Sequence, residues 1–240
     1  MIPADLAYAL LLNRTAVAYQ TTAPAYIVYR ERTHVTAPTL GRAQDIDRSV
    51  KVRVADDVAV MQDLPAGGER TGQAFPIIPY FDPLSQGFTF SYFANLKRVD
   101  ITLERKDVGY YAIPARDPTV NAVVPYISTL YVRYAPDSTD ARLHFIATPT
   151  PRASSGFYAA DVTEDPQTKL VAHVEMRTTG GDETIALDYH VLDGHWVITH
   201  GTFGSAEHVF GLNFNVVADV TYDQFAFPAI APDPRLAPTH

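Results

Sequence analysis

Alternation of apolar and polar residues is the feature that most constrains the fold of this chain. Val50, Val52 and Val54 alternate with Lys51 and Arg53, and similar segments recur along most of the sequence. A period of two with one polar face is typical of antiparallel strands. The pattern predicts about ten strands. Only one segment has convincing helical periodicity.

That segment lies near the N-terminus and reads PADLAYALLLNRTAVAYQ. Pro3 suits the first turn of a helix, and Asp5 complements the positive end of the helix dipole. At 100° per residue, Leu6, Leu10 and Val17 fall in one stripe. The sequence therefore predicts one N-terminal helix with an apolar stripe that Asn13 interrupts.

One helix is too small to cover so much sheet. Ten strands spaced ~4.8 Å apart would extend roughly 48 Å, whereas a helix with its side chains is ~10–12 Å thick. Two arrangements bury the apolar strand faces. Either two sheets stack as a sandwich, or one sheet curls around the helix as a partial barrel. The curled arrangement leaves an apolar cavity in the volume that the helix does not fill.

Two regions interrupt the strand pattern. Residues 63–97 form a long insert rich in proline and aromatic residues, with a short helix predicted near residues 82–93. This insert is either a loop that packs onto the core or a movable lid at the mouth of a pocket. The C-terminal stretch 229–240, which is rich in proline, is predicted to be a flexible tail. The predicted organisation is one domain over residues 1–228 followed by this tail.

Composition excludes several classes of function. The net charge is −8 and no basic patch stands out, so nucleic acid is not an expected partner. There is no cysteine, which excludes disulfides, thiolate metal sites and cysteine nucleophiles. No segment approaches the ~20 apolar residues that span a bilayer. We expect no catalytic residues, no cofactor and no transmembrane segment.

Three histidines spaced five residues apart, in DYHVLDGHWVITHGTF (residues 188–203), suggest a metal site. Asp193-Gly194 is a strong signal for a two-residue hairpin turn. Strict alternation about that turn places Asp188, His190 and His195 on one face and His200 on the other. Asp188, His190 and His195 therefore form an alternative site for a divalent metal on the open face of a hairpin.

The order of the elements resembles a known family. ADLAYALLLNRTAVAYQ leads into the strand AYIVYRERTHVT, and DIDRSVKVRVADDVAVMQDLP and PYFDPLS follow. The hairpin LDYHVLDGHWVITH then precedes the closing strand VFGLNFNVVADVTYDQFAFP. This order resembles the LolA-like bacterial periplasmic carriers, which include outer-membrane lipoprotein chaperones and related lipoglycan-binding lipoproteins. The resemblance implies a mostly β (α+β) fold: a curved antiparallel sheet forming a half-open β-barrel around the N-terminal helix, with a helical or loop insert as lid and a cavity for acyl chains.

The leading hypothesis is a non-enzymatic protein that binds an acyl-chain ligand in the bacterial periplasm or cell envelope. Each buried CH₂ contributes ~0.8 kcal/mol, so a sixteen-carbon chain gains on the order of 10 kcal/mol before ordering costs. The expected partners are a lipid or an acylated lipoprotein, and an envelope membrane protein. Any leader peptide is expected to have been removed. The predicted cavity-lining residues are Leu6, Leu10, Val17, Phe81, Phe88, Phe90, Ile101, Leu103, Trp196 and Ile198.

Two alternatives remain open. The first is a metal-dependent hydrolase that uses Asp188, His190 and His195. The second is a β-sandwich module that binds another protein through its strand edges or its aromatic insert. No nucleophile elbow, H-E-x-x-H motif or phosphate-binding glycine loop supports an enzyme.

Overall fold

The structure is a computed structural model of the 240-residue chain. It describes residues 2, 4–56, 58–65, 67–73, 100–101, 104–107, 110–117, 122–149, 158–178, 183–209 and 212–238. The predicted helix near residues 82–93, together with Phe81, Phe88, Phe90 and Leu103, lies outside these ranges.

One α-helix and fourteen strands are present in the described residues. They are α1 (Ala4–Thr21), β1 (Tyr26–Ala37), β2 (Arg42–Arg53), β3 (Val58–Asp63), β4 (Glu69–Gln73), β5 (Asp100–Ile101), β6 (Glu104–Asp107), β7 (Tyr110–Asp117), β8 (Ala122–Tyr134), β9 (His144–Pro149), β10 (Tyr158–Glu164), β11 (Val171–Thr178), β12 (Glu183–Leu192), β13 (His195–Val209) and β14 (Leu212–Ala226). Short 3-10 helices follow β1 (Pro38–Leu40) and β14 (Pro234–Leu236). The prediction of a mostly β, antiparallel fold is confirmed.

The chain divides into two compact units. Unit 1 comprises Met1–Thr21 and Asp82–Ala186, and unit 2 comprises Thr22–Phe81 and Leu187–His240. In unit 1 the strand order is β11-β10-β9-β8-β7-β5, with β6 also paired to β7. In unit 2 it is β4-β3-β2-β1-β14-β13-β12. The single domain over 1–228 and the half-open barrel with its lid stay predictions.

In unit 1, the buried face of α1 does not include Leu10 of the predicted stripe. Ala7, Tyr8, Leu11 and Thr15 are buried, whereas Leu10 is 44% exposed. The helix carries apolar residues around most of its circumference, so periodicity alone did not identify the buried face. Leu6 and Val17 lie in α1, outside the residues whose side chains are described.

Two kinds of contact fix α1 on unit 1. The Tyr8 ring meets the Phe145 ring edge-on, with centroids 5.5 Å apart. The Thr15 hydroxyl accepts a hydrogen bond of 3.2 Å from the backbone N–H of Val171, at the start of β11. Aromatic edge contacts and buried hydrogen bonds both depend on geometry, so together they set the position and rotation of the helix.

In unit 2, the alternation predicted for β2 is confirmed. Val50, Val52 and Val54 are buried. The Asp193-Gly194 hairpin is also confirmed, because both residues have the positive φ angles, 50° and 83°, that a tight two-residue turn requires. Trp196 and Ile198 lie in the core of this unit, at 2% and 0% exposure, and the Trp196 ring stacks on Tyr189 at 4.1 Å.

The segment after Pro228, for which the sequence predicts a flexible tail, contacts the rest of unit 2 through residues 233–237. Leu236 is fully buried against Tyr26 and Val60. Arg53 Nη1 donates hydrogen bonds of 2.9 and 2.8 Å to the carbonyl oxygens of Leu236 and Ala237. Arg235 and Asp233 add ion pairs with Glu69 and Lys51, and the flexibility of the segment stays a prediction.

Candidate functional site

The candidate site is a cleft in unit 1 beside α1, which we call the α1 cleft. Its volume is about 270 Å³. Its residues come from α1 and the segment before it, from β8 and the turn that follows, and from β10 and the turn that follows. They are Ile2, Ala7, Leu10, Arg14, Tyr134, Asp140, Leu143, Glu164 and Lys169.

Apolar side chains supply much of the surface of the α1 cleft. Ile2 and Leu10 are 48% and 44% exposed, so both leave apolar surface open to the cleft. The Tyr134 hydroxyl donates a hydrogen bond of 2.9 Å to the Ile2 carbonyl oxygen, and its ring stacks on Phe145 at 5.2 Å. This contact holds the chain before α1 at the cleft.

A charged cluster also lines the cleft. The Glu164 side chain is only 2% exposed, and its two oxygens face two cations. Arg14 Nη2 lies 2.7 Å from Oε2, and Lys169 Nζ lies 3.2 Å from Oε1. Both cations are 45% exposed, so the buried carboxylate anchors two side chains that reach into solvent. The α1 cleft thus combines an apolar surface with a charged cluster that includes two half-exposed cations.

The local sequence explains how Lys169 reaches Glu164. The Asp165 carboxylate accepts hydrogen bonds from the backbone N–H groups of Gln167 and Thr168, at 2.7 and 2.8 Å. Such a contact is the usual signature of an aspartate-initiated turn. Lys169 ends the turn with φ at 61°, in the left-handed region. The chain therefore reverses within five residues and brings the ammonium back to Glu164.

A wider and more open groove lies in unit 2, with a volume of about 630 Å³. It includes Gln224, whose φ of 55° coincides with a register shift between β1 and β14. Its lining residues are Val191, Leu192, Asp193, Thr199, Tyr222, Asp223, Gln224 and Phe225. This groove lacks the pairing of an apolar surface with anchored cations that distinguishes the α1 cleft.

The predicted metal residues have separate partners. His190 Nδ1 lies 2.8 Å from the Thr199 hydroxyl, and His195 Nδ1 donates to the Thr22 carbonyl oxygen at 2.5 Å. Asp188 instead accepts from His200, with Oδ2 3.0 Å from Nδ1. Within the described ranges, no group of three or more histidine or carboxylate side chains has an arrangement that could hold a metal ion.

His200 lies on the face opposite to the predicted one. Trp196 and Ile198 are buried, and so is Gly201, which pairs with the buried Val220. Residues on the same face of a regular strand are an even number of positions apart. Residues 198 and 201 are three positions apart and both buried, so the alternation shifts by one residue between them. His200 therefore shares a face with Asp188, and its Nε2 also lies 3.0 Å from Asp219 Oδ2. A phase shift of this kind leaves no signal in a simple alternating pattern.

The sequence prediction named part of this site. Of the predicted lining residues, Leu10 lies in the α1 cleft, whereas Trp196 and Ile198 lie in the core of unit 2. Ile101 is in β5, and its side chain is outside the described set. The ligand role of all these residues stays a prediction. Arg14, Glu164 and Lys169 were missed, because residues 150 positions apart in sequence share no recognisable spacing.

The chain is similar to several solved structures. The chain is similar to a LolA superfamily protein from Nitrosomonas europaea, at 11% identity, 96% coverage of each chain and a TM-score of 0.41. It is similar to a domain from Vibrio parahaemolyticus assigned to outer membrane lipoprotein sorting, at 9% identity, 94% and 97% coverage and a TM-score of 0.40. A DUF1329 family protein from Desulfovibrio piger matches at 10% identity, 95% and 94% coverage and a TM-score of 0.38.

Comparisons at the level of sequence give no match. No protein-family model matches the chain, and no curated protein does. The solved structures to which the chain is similar include proteins with the LolA-like names that the sequence resemblance predicts, and the family of this chain stays a prediction. Within the part of the chain that is described, no helix has the length and apolar character needed to cross a membrane.

Proposed function

We propose that this protein binds an acyl-chain ligand, without catalysis, in the α1 cleft. The observation that carries the proposal is the half-exposed Leu10 side chain, which lines a concave site together with two cations anchored on Glu164. Apolar surface left open in a cleft is a common mark of a ligand site. An alkyl chain against Leu10 with a polar head near Arg14 and Lys169 matches both halves of the cleft.

The volume of the cleft limits the size of the ligand that it can hold. Its volume of about 270 Å³ lies just below the ~300–1,000 Å³ range of pockets for small molecules. The cleft therefore suits a short alkyl segment or the end of a longer chain. The bacterial cell envelope, the compartment implied by the sequence resemblance, supplies acyl chains as lipids and acylated lipoproteins.

The experiment compares two exposed leucines. Leu10→Asp places a carboxylate in the cleft, and Leu40→Asp places one at a leucine of 54% exposure in unit 2. Binding of octyl glucoside, an uncharged alkyl probe, is measured by calorimetry. Leu10→Asp should weaken binding by about tenfold, because burying a leucine contributes about 1.5 kcal/mol or more. Leu40→Asp should bind like the wild type.

A second measurement looks for the natural ligand. The purified protein is extracted with organic solvent, and the extract is analysed by mass spectrometry. We expect acyl-containing molecules from the wild type and a reduced yield from Leu10→Asp. A ligand-free extract, together with equal octyl glucoside binding by Leu10→Asp and wild type, would reject the proposal.

A further inference from the structure

His144, the first residue of β9, is held between two carboxylates. Its Nδ1 lies 2.5 Å from Asp137 Oδ1, and its Nε2 forms a short contact with Asp161 Oδ1. A neutral imidazole has only one N–H group, so it can donate to only one of the two. Both hydrogen bonds require the protonated ring. We call these three residues the His144 clasp.

The His144 clasp connects a wall of the α1 cleft to the sheet of unit 1. Asp137 lies in the turn of residues 135–143, which also provides Asp140 and Leu143 to the cleft. Asp161 lies on β10, three residues before Glu164. The other contacts of the turn include a hydrogen bond of 3.1 Å from the His144 N–H to Ser138 Oγ. At its last residue, the Leu143 carbonyl oxygen accepts a hydrogen bond of 2.9 Å from the backbone N–H of Glu164 on β10. Opening the clasp therefore removes the side-chain link between the turn and β10.

The charges around His144 favour its protonated form. Burial lowers the pKa of the ring, but the hydrogen bonds to Asp161 and Asp137 offset this effect, and the pKa is raised. Arg142 lies near Asp137 and favours its charged form. From the neighbouring strands, Arg133 of β8 lies opposite Ile146, and Glu175 of β11 lies opposite Asp161.

We propose that His144 is a proton-operated clasp that holds the wall of the α1 cleft in its binding form in mildly acidic conditions and releases it as the pH rises. This inference rests on the proposed function of the cleft. The described arrangement has the clasp closed and the cleft formed. A ligand that binds to a prearranged wall avoids the cost of ordering it, so acid should tighten binding.

The binding test uses octyl glucoside, whose own charge does not change with pH. Wild type should bind about fivefold more tightly at about pH 5.5 than at about pH 8. His144→Gln should bind weakly at both pH values, and so should Asp137→Asn, which changes an exposed turn residue. His200→Gln is the matched control. It opens a similar Asp-His-Asp arrangement in unit 2, so the pH dependence of binding should persist.

Hydrogen exchange gives a readout that does not depend on the ligand. At about pH 5.5, amides of residues 135–143 should exchange faster in His144→Gln than in wild type, and at about pH 8 the difference should disappear. Equal pH dependence of binding in wild type and His144→Gln would overturn the clasp. If octyl glucoside binds at neither pH, the proposed function fails instead. In that case, hydrogen exchange alone tests the His144 clasp. Equal exchange of residues 135–143 in wild type and His144→Gln at about pH 5.5 would reject the clasp.

Discussion

Arg14 on α1 and Glu164 on β10 form an ion pair of 2.7 Å, in which the carboxylate is buried and the guanidinium is half-exposed. Lys169 reaches the same carboxylate from the other side. The cations and the carboxylate of this cluster therefore differ in their exposure to solvent. Either cation can return to water, whereas the carboxylate cannot.

This inequality predicts an asymmetric cost of mutation. Glu164→Gln releases two exposed cations and should cost about 1 kcal/mol or less of unfolding free energy. The double variant Arg14→Ala, Lys169→Ala leaves a buried charge uncompensated and should cost about 3 kcal/mol. Urea unfolding of both variants measures the difference. Adding Glu164→Gln to the double variant should restore most of the lost unfolding free energy. Equal losses in Glu164→Gln and in the double variant would contradict the view that the buried carboxylate needs its two cations.

The buried pair of unit 2 should behave differently, because both of its ends are desolvated. Arg48 Nε lies 2.9 Å from Glu31 Oε1, in directly opposed positions on β1 and β2, and the side chains are 9% and 4% exposed. Arg48→Met alone should cost about 3–5 kcal/mol. The double variant Glu31→Met, Arg48→Met should lie within about 1 kcal/mol of wild type. A double variant as unstable as the single one would show that the pair itself stabilises the fold.

His200 predicts a pH-dependent contribution to the stability of unit 2. Burial lowers the pKa of the ring, but hydrogen bonds to Asp219 and Asp188 outweigh burial, and the pKa is raised above its ordinary value of 6.5. A raised pKa in the folded state means that the contribution is fully present below the unfolded value. It is lost as pH rises through the folded value.

The measurement compares the unfolding free energies of wild type and His200→Gln at about pH 5.5 and about pH 8.5. The wild type should be more stable than the variant at the lower pH, by less than about 1 kcal/mol because the groups are partly exposed. The difference should shrink at the higher pH. His190→Gln is the control, since His190 contacts the Thr199 hydroxyl. A gap that widens with rising pH would refute the assignment.

The C-terminal segment predicts a contrast between two apolar residues. Leu236 is fully buried against Tyr26 and Val60, whereas Ile230 is 82% exposed. Leu236→Ala should cost about 2–3 kcal/mol, because it leaves a cavity, and Ile230→Ala should have almost no effect. Limited proteolysis should cut the segment faster in Leu236→Ala. Equal digestion of the two variants would mean that the segment is held by other contacts.

Regular features of unit 2 could be predicted from sequence, because each depends on a few neighbouring residues. The Val50, Val52 and Val54 face and the Asp193-Gly194 turn are examples. The position of His200 could not, since one shift in alternation between residues 198 and 201 reverses its face. Periodicity describes a strand only as far as the next irregularity.

The α1 cleft was harder to predict for two physical reasons. The helix is apolar around most of its circumference, so the sequence did not show which face would be buried. The buried face includes Ala7 and Tyr8. The charged cluster joins Arg14 to Glu164 across 150 positions, and only the folded chain makes them neighbours. Leu10, which the sequence predicts as a cavity-lining residue, lines the α1 cleft, and its ligand role stays a prediction.

Arg53 grips the carbonyl oxygens of residues 236 and 237, and every amino acid has a carbonyl. These hydrogen bonds therefore do not depend on the side chains at positions 236 and 237. The apolar space beside Tyr26 and Val60, by contrast, requires a side chain of suitable size at position 236. A library randomised at both positions and selected for resistance to protease should recover bulky aliphatic residues at 236 and nearly anything at 237. Anchoring of this kind lets a terminal segment accept new sequence without coming loose.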